Sequence, residues 1–483
     1  MKQGHEISPH VDDNFIDGGW AVSAAIERIE VIDPATEEVW GSVPASSAAD
    51  LDAAVLAAHR AFLGWKTTTP SERAEALLRM ATEIESRSDV LSTINSHENG
   101  SPVAETSRAA DNAGSILRYF ASLAPHLERH DVRPFLDGSG ETLVSYDPLG
   151  VCAIIAPWNF PINLVMVKVA PALLAGCTVV IKPASPTPLS IRIIAESAAA
   201  AGIPPGVLNV VTGNGALGDL LVRHPLVSKV AFTGSTEVGR RIAAACGELL
   251  RPVTLELGGK SSAIVLPDAD LTAMSDVLIR SCMRNTGQTC YISTRILAPA
   301  ARYDAVVDMV TSTIAAGKQG DPFDRDTVFG PSATRAQRDT VIEFIRSGVH
   351  AGARATTGGD VPSGFRRGFY VKPTVFADVT PDMAIAREEI FGPVITVLRY
   401  DQVHDAVDLA NNTQFGLGGI VFGADHAEAV AVARQVDSGS VGINFFASNH
   451  QAPFGGRKDS GLGVEYGVEG LHAYLSPQSI HMR

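Results

Sequence analysis

Cys290 closes the turn Asn285-Thr286-Gly287-Gln288-Thr289-Cys290, directly after a helical stretch. A thiol so placed can serve as a nucleophile, because small residues admit a substrate and backbone amides can stabilise a thiolate. The other four cysteines, Cys152, Cys177, Cys246 and Cys282, lie in apolar runs and read as small core residues. Such a thiol needs a base. Glu256 ends the apolar run VTLEL ahead of two glycines, and burial would raise its pKa into the range of a general base. The alternative is a structural pair with Lys260. Asn159, in Pro157-Trp158-Asn159-Phe160-Pro161, follows the strand-like GVCAIIA, at the edge where open α/β sheets bind ligands. Its amide can donate to a developing oxyanion, or it simply closes a turn between prolines. The stretch from Gly234 through Ser235 to Gly239 follows KVAF and opens a helix, so its N–H groups can face a pyrophosphate. Lys182, after TVVI, is placed for a ribose or phosphate, or is a solvated lysine.

The elements that must hold these groups alternate. From residue 150 the chain runs strand GVCAIIA, helix INLVMVKVAPALLAGC, strand TVVIK, helix PLSIRIIAESAAAAG, strand VLNVVTG, strand SKVAFTG, helix EVGRRIAAACG and strand VTLEL. Short apolar strands separated by helices of roughly 10–15 residues imply an α/β fold, a parallel sheet with helices on both faces. A second series follows Gly259: SSAIVL, LTAMSDVLIRSCMRN, YISTRILAP and ARYDAVVDMVTSTIAA. Two earlier helices are announced by caps, Ser47 with Asp50 and Thr69-Pro70 with Glu72. The segment DVRPFLDGSGETLVSYDP reads as a hairpin. With the terminal LHAYLSPQSIHM it is the candidate for a projecting sheet edge that joins subunits.

Composition removes other classes. The chain has 483 residues, 19% of them charged, and a net charge of −14 without a basic run, which argues against a nucleic-acid partner. Five scattered cysteines form neither a disulfide framework nor a metal spacing, so no metal is expected and reduced, cytoplasmic thiols are. The opening MKQGHEISPHVDDNFIDGG lacks an apolar signal core. The uncharged stretch 148–167 contains Pro157 and Pro161 and cannot form one spanning helix, so no membrane role is expected.

Taken together and in order, PWNFP, KPAS, FTGSTEVG, LELGGKS, NTGQTC, EEIFGPV and PFGGRKDSGLG closely resemble the aldehyde dehydrogenase superfamily, from about Phe15 onward. The resemblance implies a Rossmann-like cofactor domain (1–130 and 149–258), a second α/β catalytic domain (259–459) and a small β oligomerisation element (131–148 and 470–483). It implies NAD(P)-dependent oxidation of an aldehyde to its acid. Cys290 attacks, Asn159 and the Cys290 amide hold the oxyanion, and Glu256 activates the water that hydrolyses the thioester. A hydrolytic Glu separates this type from relatives that pass the acyl group to coenzyme A. The cofactor positions carried over are Ile155, Pro157, Trp158, Lys182, Ser185, Gly215, Gly218, Phe232, Gly234, Ser235, Val238, Leu257, Glu389 and Phe391.

The sequence also departs from the family pattern. Ser185 stands where NAD-preferring members carry Glu, which removes a repulsion toward a 2′-phosphate; NAD is expected, with NADP tolerated. Val464 replaces a common Arg in a subunit-contact network. The expected substrate pocket comprises Phe160, Leu164, Val167, Arg284, Thr289, Tyr291, Phe445, Phe446 and Phe454, an apolar wall for aromatic or medium-chain aldehydes. Arg284 matches a carboxylate anchor of succinate-semialdehyde-type enzymes, but Val167 and Asn449 stand where those enzymes add a second Arg and a Ser. The remaining alternative is an inactive structural or binding member. A homodimer or homotetramer is expected.

Overall fold

The computed structural model describes residues 10, 12–23, 25–128, 131–360, 362 and 364–483. Residues 1–9 and 11, about half of the opening stretch read above for a targeting signal, lie outside the described residues.

The caps form as their residue types require. The helix Ala48–Trp65 begins where the Asp50 N–H donates to Ser47 Oγ at 3.2 Å and the Ser47 N–H donates back to Asp50 at 2.7 Å. The helix Pro70–Glu85 repeats the arrangement with Thr69 and Glu72, with Pro70 in its first turn, where a missing N–H costs nothing. The helices Ala48–Trp65 and Pro161–Ala175 pack on one large eight-stranded sheet, and Pro70–Glu85 packs against the helices Ala109–Ala121, Pro161–Ala175 and Leu189–Ala200.

Five parallel strands form the middle of that sheet, in spatial order Leu208–Val210, Thr178–Lys182, Val151–Ile155, Val227–Thr233 and Val253–Glu256. The chain therefore starts in the middle, winds one way for three strands, then returns to continue the other way. Between Val151–Ile155 and Val227–Thr233 lies the topological switch point, where loops at the carboxyl ends part and leave a crevice. Every residue of Val151–Ile155 and Thr178–Lys182 is buried, as strands covered on both faces must be. Gly461–Leu462 closes the far edge, antiparallel to Leu255 and Glu256.

A second, seven-stranded sheet runs Arg354–Thr357, Thr374–Ala377, Val394–Tyr400, Arg295–Pro299, Ser262–Val265, Gly419–Phe422 and Gly442–Ile443. One strand is shorter than the sequence suggests: YISTRILAP is extended only from Arg295, because residues 291–294 complete the turn that carries Cys290. Each large sheet has an apolar core on both faces. The hairpin Asp131–Pro134 and Glu141–Pro148 takes Leu475–Met482 as a third strand, and residues beyond Leu475 in that strand are exposed. Among the described residues, no helix is long and apolar enough to cross a membrane.

Candidate active site

The loop after Val151–Ile155 and the loop after Val227–Thr233 meet at the switch point. Between them opens a crevice of about 240 Å³ lined by Pro157, Trp158, Asn159, Thr233, Gly234, Ser235, Leu257, Gly258, Cys290, Gln337, Thr340, Glu389, Ile390 and Phe391. The thiol, the amide and the Gly-rich helix entry thus share one space. Ser235 caps the helix Thr236–Glu248, its hydroxyl accepting from the Val238 N–H at 3.4 Å, so the entry of that helix, Gly234 and Ser235, borders the crevice.

Two motifs distant in sequence interlock to present Cys290. Asn285, Thr286 and Gly287 all have positive φ, at 51°, 57° and 77°. A Cβ on Gly287 would overlap the Gly392 carbonyl, and one on Gly259 would overlap the Cys290 carbonyl, so both glycines permit a contact no larger residue allows. Gln337 donates to the carbonyls of Ile390 and Phe391, each at 3.0 Å, and Trp158 meets Phe391 edge-on at 5.3 Å. Asn159 is anchored through its own carbonyl, which accepts from Asn99 and Asn285 at 3.3 and 3.2 Å. Its amide donates to the Gln288 carbonyl at 3.0 Å, two residues before the thiol; the side chain does more than close a turn.

The electrostatics differ from the sequence expectation in one respect. Burial, reinforced by Glu389 and Glu256, pushes the Cys290 thiol up to about 12, outweighing the backbone amides of Cys290 and Tyr291 that favour the thiolate. In the free protein the nucleophile is therefore a thiol, which makes a neighbouring base more necessary. Glu256 is buried, neither carboxyl oxygen has a hydrogen-bond partner among the described residues, and burial with the nearby Glu465 holds its pKa well above the ordinary carboxylate value while Lys168 opposes them. Lys260 does not pair with it: the Lys260 ammonium also lacks a partner, and the carboxylates it feels are Glu389 and Glu388. Lys168, on the helix after PWNFP, pairs with Glu465 at 2.7 Å and donates to Thr233 at 2.6 Å. Neither Lys168 nor Glu465 is marked by a sequence pattern of its own.

Of the remaining positions expected to hold a cofactor, Lys182, Ser185, Gly215 and Gly218 do not line the crevice itself but follow the strand next to Val151–Ile155 or lie beyond it. At the carboxyl end of Thr178–Lys182, Lys182 donates to the Pro183 carbonyl at 3.1 Å and Ser185 to the Gly213 carbonyl at 3.1 Å. Gly215 begins the next helix, and a Cβ on Gly218 would touch the Lys182 chain at 3.6 Å. Burial lowers the Lys182 ammonium to about 8, and it makes no ion pair among the described residues. A phosphate or ribose would provide the acceptors it lacks. Glu389, raised to about 7 by burial, accepts from the Gly259 N–H at 3.0 Å with one oxygen. Ile155 and Phe232 are buried behind the crevice, Phe232 beneath Gly234, and do not line it; nor does Val238, whose N–H serves the cap.

A second cavity, of about 210 Å³, has Phe160, Leu164, Tyr291, Phe446, Tyr466 and Ile116 as walls, with Asn112, Asn163, Arg280, Arg284, Ala447, Ser448 and His450 completing it. Three expected pocket residues are placed otherwise. Val167, 1% exposed, points into the helix packing; Phe445, 61% exposed, faces solvent; and the Thr289 hydroxyl is tied to the Arg284 carbonyl at 3.0 Å. A fourth, Phe454, stands edge-on to Tyr291 and Tyr466 and does not line the cavity. Arg284 is engaged by Glu105 and Tyr291.

A doubly wound sheet whose switch-point crevice holds a cysteine thiol, an amide donor and a helix N-terminus defines an oxidoreductase that handles a nucleotide cofactor. Comparison with known proteins makes this specific: the family profile described as "Aldehyde dehydrogenase family" matches residues 20–480, and the chain belongs to that family of enzymes. It is 48% identical to geranial dehydrogenase of Castellaniella defragrans over 97% of this chain and 98% of that protein. Among solved structures it is similar to a mutant of aldehyde dehydrogenase C from Pseudomonas syringae complexed with NAD+ and octanal, with 39% identity, TM-score 0.94, and 98% and 97% of the two chains covered. It is similar, too, to an NADP-dependent enzyme of E. coli, with 36% identity, TM-score 0.94, and 98% of each chain covered.

Proposed function

We propose that this enzyme oxidises hydrophobic aldehydes, aromatic or medium-chain aliphatic, to their carboxylic acids with a nicotinamide cofactor. The observation that carries the reading is that Cys290 and Asn159 share the crevice with the helix entry Gly234–Ser235 and with Glu389 and Phe391. In this reading the nicotinamide cofactor, when bound, supplies the hydride acceptor. Glu256 takes the proton of Cys290 and releases it to solvent, and the thiolate attacks the aldehyde carbon. The second amide hydrogen of Asn159 and the Cys290 N–H stabilise the oxyanion. After hydride loss the acyl group is held on Cys290 as a thioester. Glu256 takes a proton from the water that cleaves it, and the thiol is restored. Glu389 and Lys182 hold the riboses, and the Ser235 helix entry holds the pyrophosphate.

The tail of the substrate would lie along Phe160, Leu164, Tyr291 and Phe446. Geranial and octanal, named for two relatives, are apolar aldehydes of this kind. The semialdehyde alternative needs a free guanidinium, and that of Arg284 is already bound to Glu105. NAD is the favoured cofactor with NADP accepted, because Ser185 is small and uncharged and Lys182 can face a 2′-phosphate. The free cysteines fit a cytoplasmic setting. The exposed strand Leu475–Met482 is the edge through which copies would join as dimers or tetramers.

The test is absorbance of reduced cofactor with NAD or NADP and hexanal, benzaldehyde and succinic semialdehyde. Hexanal or benzaldehyde should be the best substrate, and Cys290→Ala should bind cofactor yet turn over none. Succinic semialdehyde at least tenfold better than both would reverse the substrate assignment.

A further inference from the structure

The second cavity contains a cation, Arg284, three of whose five N–H donors are committed and whose charge is paired. Arg284 donates to Glu105 Oε2 through Nε at 3.0 Å and Nη2 at 2.8 Å, and through Nη1 to the Tyr291 hydroxyl at 2.6 Å. Its guanidinium carbon lies 4.9 Å from the Phe160 ring centroid. Glu105 comes from the one-turn helix Val103–Thr106, remote from Arg284 in sequence, and lines the small cavity behind Phe160 together with Arg284. The ion pair is only about a quarter exposed. Arg280, the other cation of the wall, is exposed and solvated, and an exposed charge contributes little to pairing.

We infer that Glu105 is a specificity-determining residue that masks Arg284 and excludes aldehydes bearing a distal carboxylate. The inference rests on the reading that this cavity receives the tail of the aldehyde. Discrimination arises as much from what is refused as from what is held. A carboxylate entering the cavity meets a guanidinium whose charge is balanced and whose Nε/Nη2 edge, the one suited to a paired grip, is already held by Glu105. It also meets the negative charge of Glu105. An apolar tail can lie against Phe160, Leu164, Tyr291, Phe446 and Ile116 and needs no charged partner from the wall. Removing the Glu105 charge would leave a partly buried guanidinium free to take a carboxylate in the paired geometry that arginine favours.

The experiment compares wild type, Glu105→Gln, Glu105→Ala and the double variant Glu105→Gln/Arg284→Met. The first readout is the ratio of kcat/KM for succinic semialdehyde to that for hexanal, taken within each protein so that partial loss of active enzyme cancels. The second is the dissociation constant of succinate by calorimetry, which requires no turnover. The ratio should rise at least tenfold in Glu105→Gln and in Glu105→Ala, succinate should bind at least tenfold tighter, and both gains should vanish in the double variant. An unchanged ratio and succinate affinity in the single variants overturns the inference, as does a gain that survives loss of Arg284. Failure of the functional reading would look different: the wild type would oxidise neither aldehyde, while the succinate measurement would still decide the masking of Arg284.

Discussion

Replacing Glu256 with Gln should make the enzyme slower and, near neutral pH, more stable. Both carboxyl oxygens are buried without partners, and burial with Glu465 holds the folded-state pKa well above its ordinary 4.5. Below pH 4.5 the group is protonated in both the folded and unfolded chains and contributes no difference. Above it the unfolded chain releases the proton while the folded chain retains it, so stability falls as pH rises until the folded-state pKa is passed. Each pH unit in that window costs the fold ~1.4 kcal/mol. Gln has nearly the same shape and no proton to lose, so the melting temperature of Glu256→Gln should exceed that of wild type by a margin that widens as pH rises above 4.5. The same substitution removes the base for hydrolysis, a loss of ~10²–10⁴ in that step. Mixed with NAD and hexanal, the variant should release up to one equivalent of reduced cofactor per active site and then stall. Mass spectrometry should find the acyl group on Cys290. A stability margin that does not grow with pH would refute the electrostatic account of Glu256. Steady turnover at the wild-type rate would refute its role as the base.

Asn159→Ala should lower kcat by ~10²–10³ with little change in cofactor affinity, the loss expected for one oxyanion donor; a kcat within threefold of wild type would remove Asn159 from the oxyanion site. Gly287→Ala places a Cβ against the Gly392 carbonyl at φ 77°. The left-handed conformation costs ~1–2 kcal/mol and overpacking a further ~1–3 kcal/mol; a lower melting temperature and a loss of kcat should appear together, and wild-type values for both would show that the turn does not depend on the glycine. Ser185→Glu should lower kcat/KM for NADP relative to NAD at least tenfold, and an unchanged ratio would show that Ser185 does not discriminate.

What the residue order alone made legible is what depends on neighbours along the chain. The caps at Ser47 and Thr69 formed as written, because a capping box is completed within four residues. The parallel sheet followed from short apolar runs alternating with helices, and Asn159 and Gly234 each follow one of its strands. That those two strands are neighbours flanking the switch point, so that both residues reach one crevice, came from the tertiary structure. Cys290 was singled out from the other cysteines by its polar, Gly-containing turn, while the other four are buried. Tertiary structure decided which charges meet. Glu256 and Lys260 lie four apart, yet the glycines between them turn Lys260 toward Glu389 and leave Glu256 to Glu465 and Lys168. Arg284 is matched by Glu105 from a different part of the chain, and the Cys290 thiol is raised partly by Glu389, a residue almost a hundred positions away. Gln337 and Thr340 entered the crevice wall with no motif to mark them. Apolar character could not separate Val167, packed inside, from Phe445, facing water, or either from Phe446 in the cavity wall. Hydrophobic patterning says that a side chain can be buried; which space it borders, and which charge balances it, is set by the packing of segments far apart in the chain.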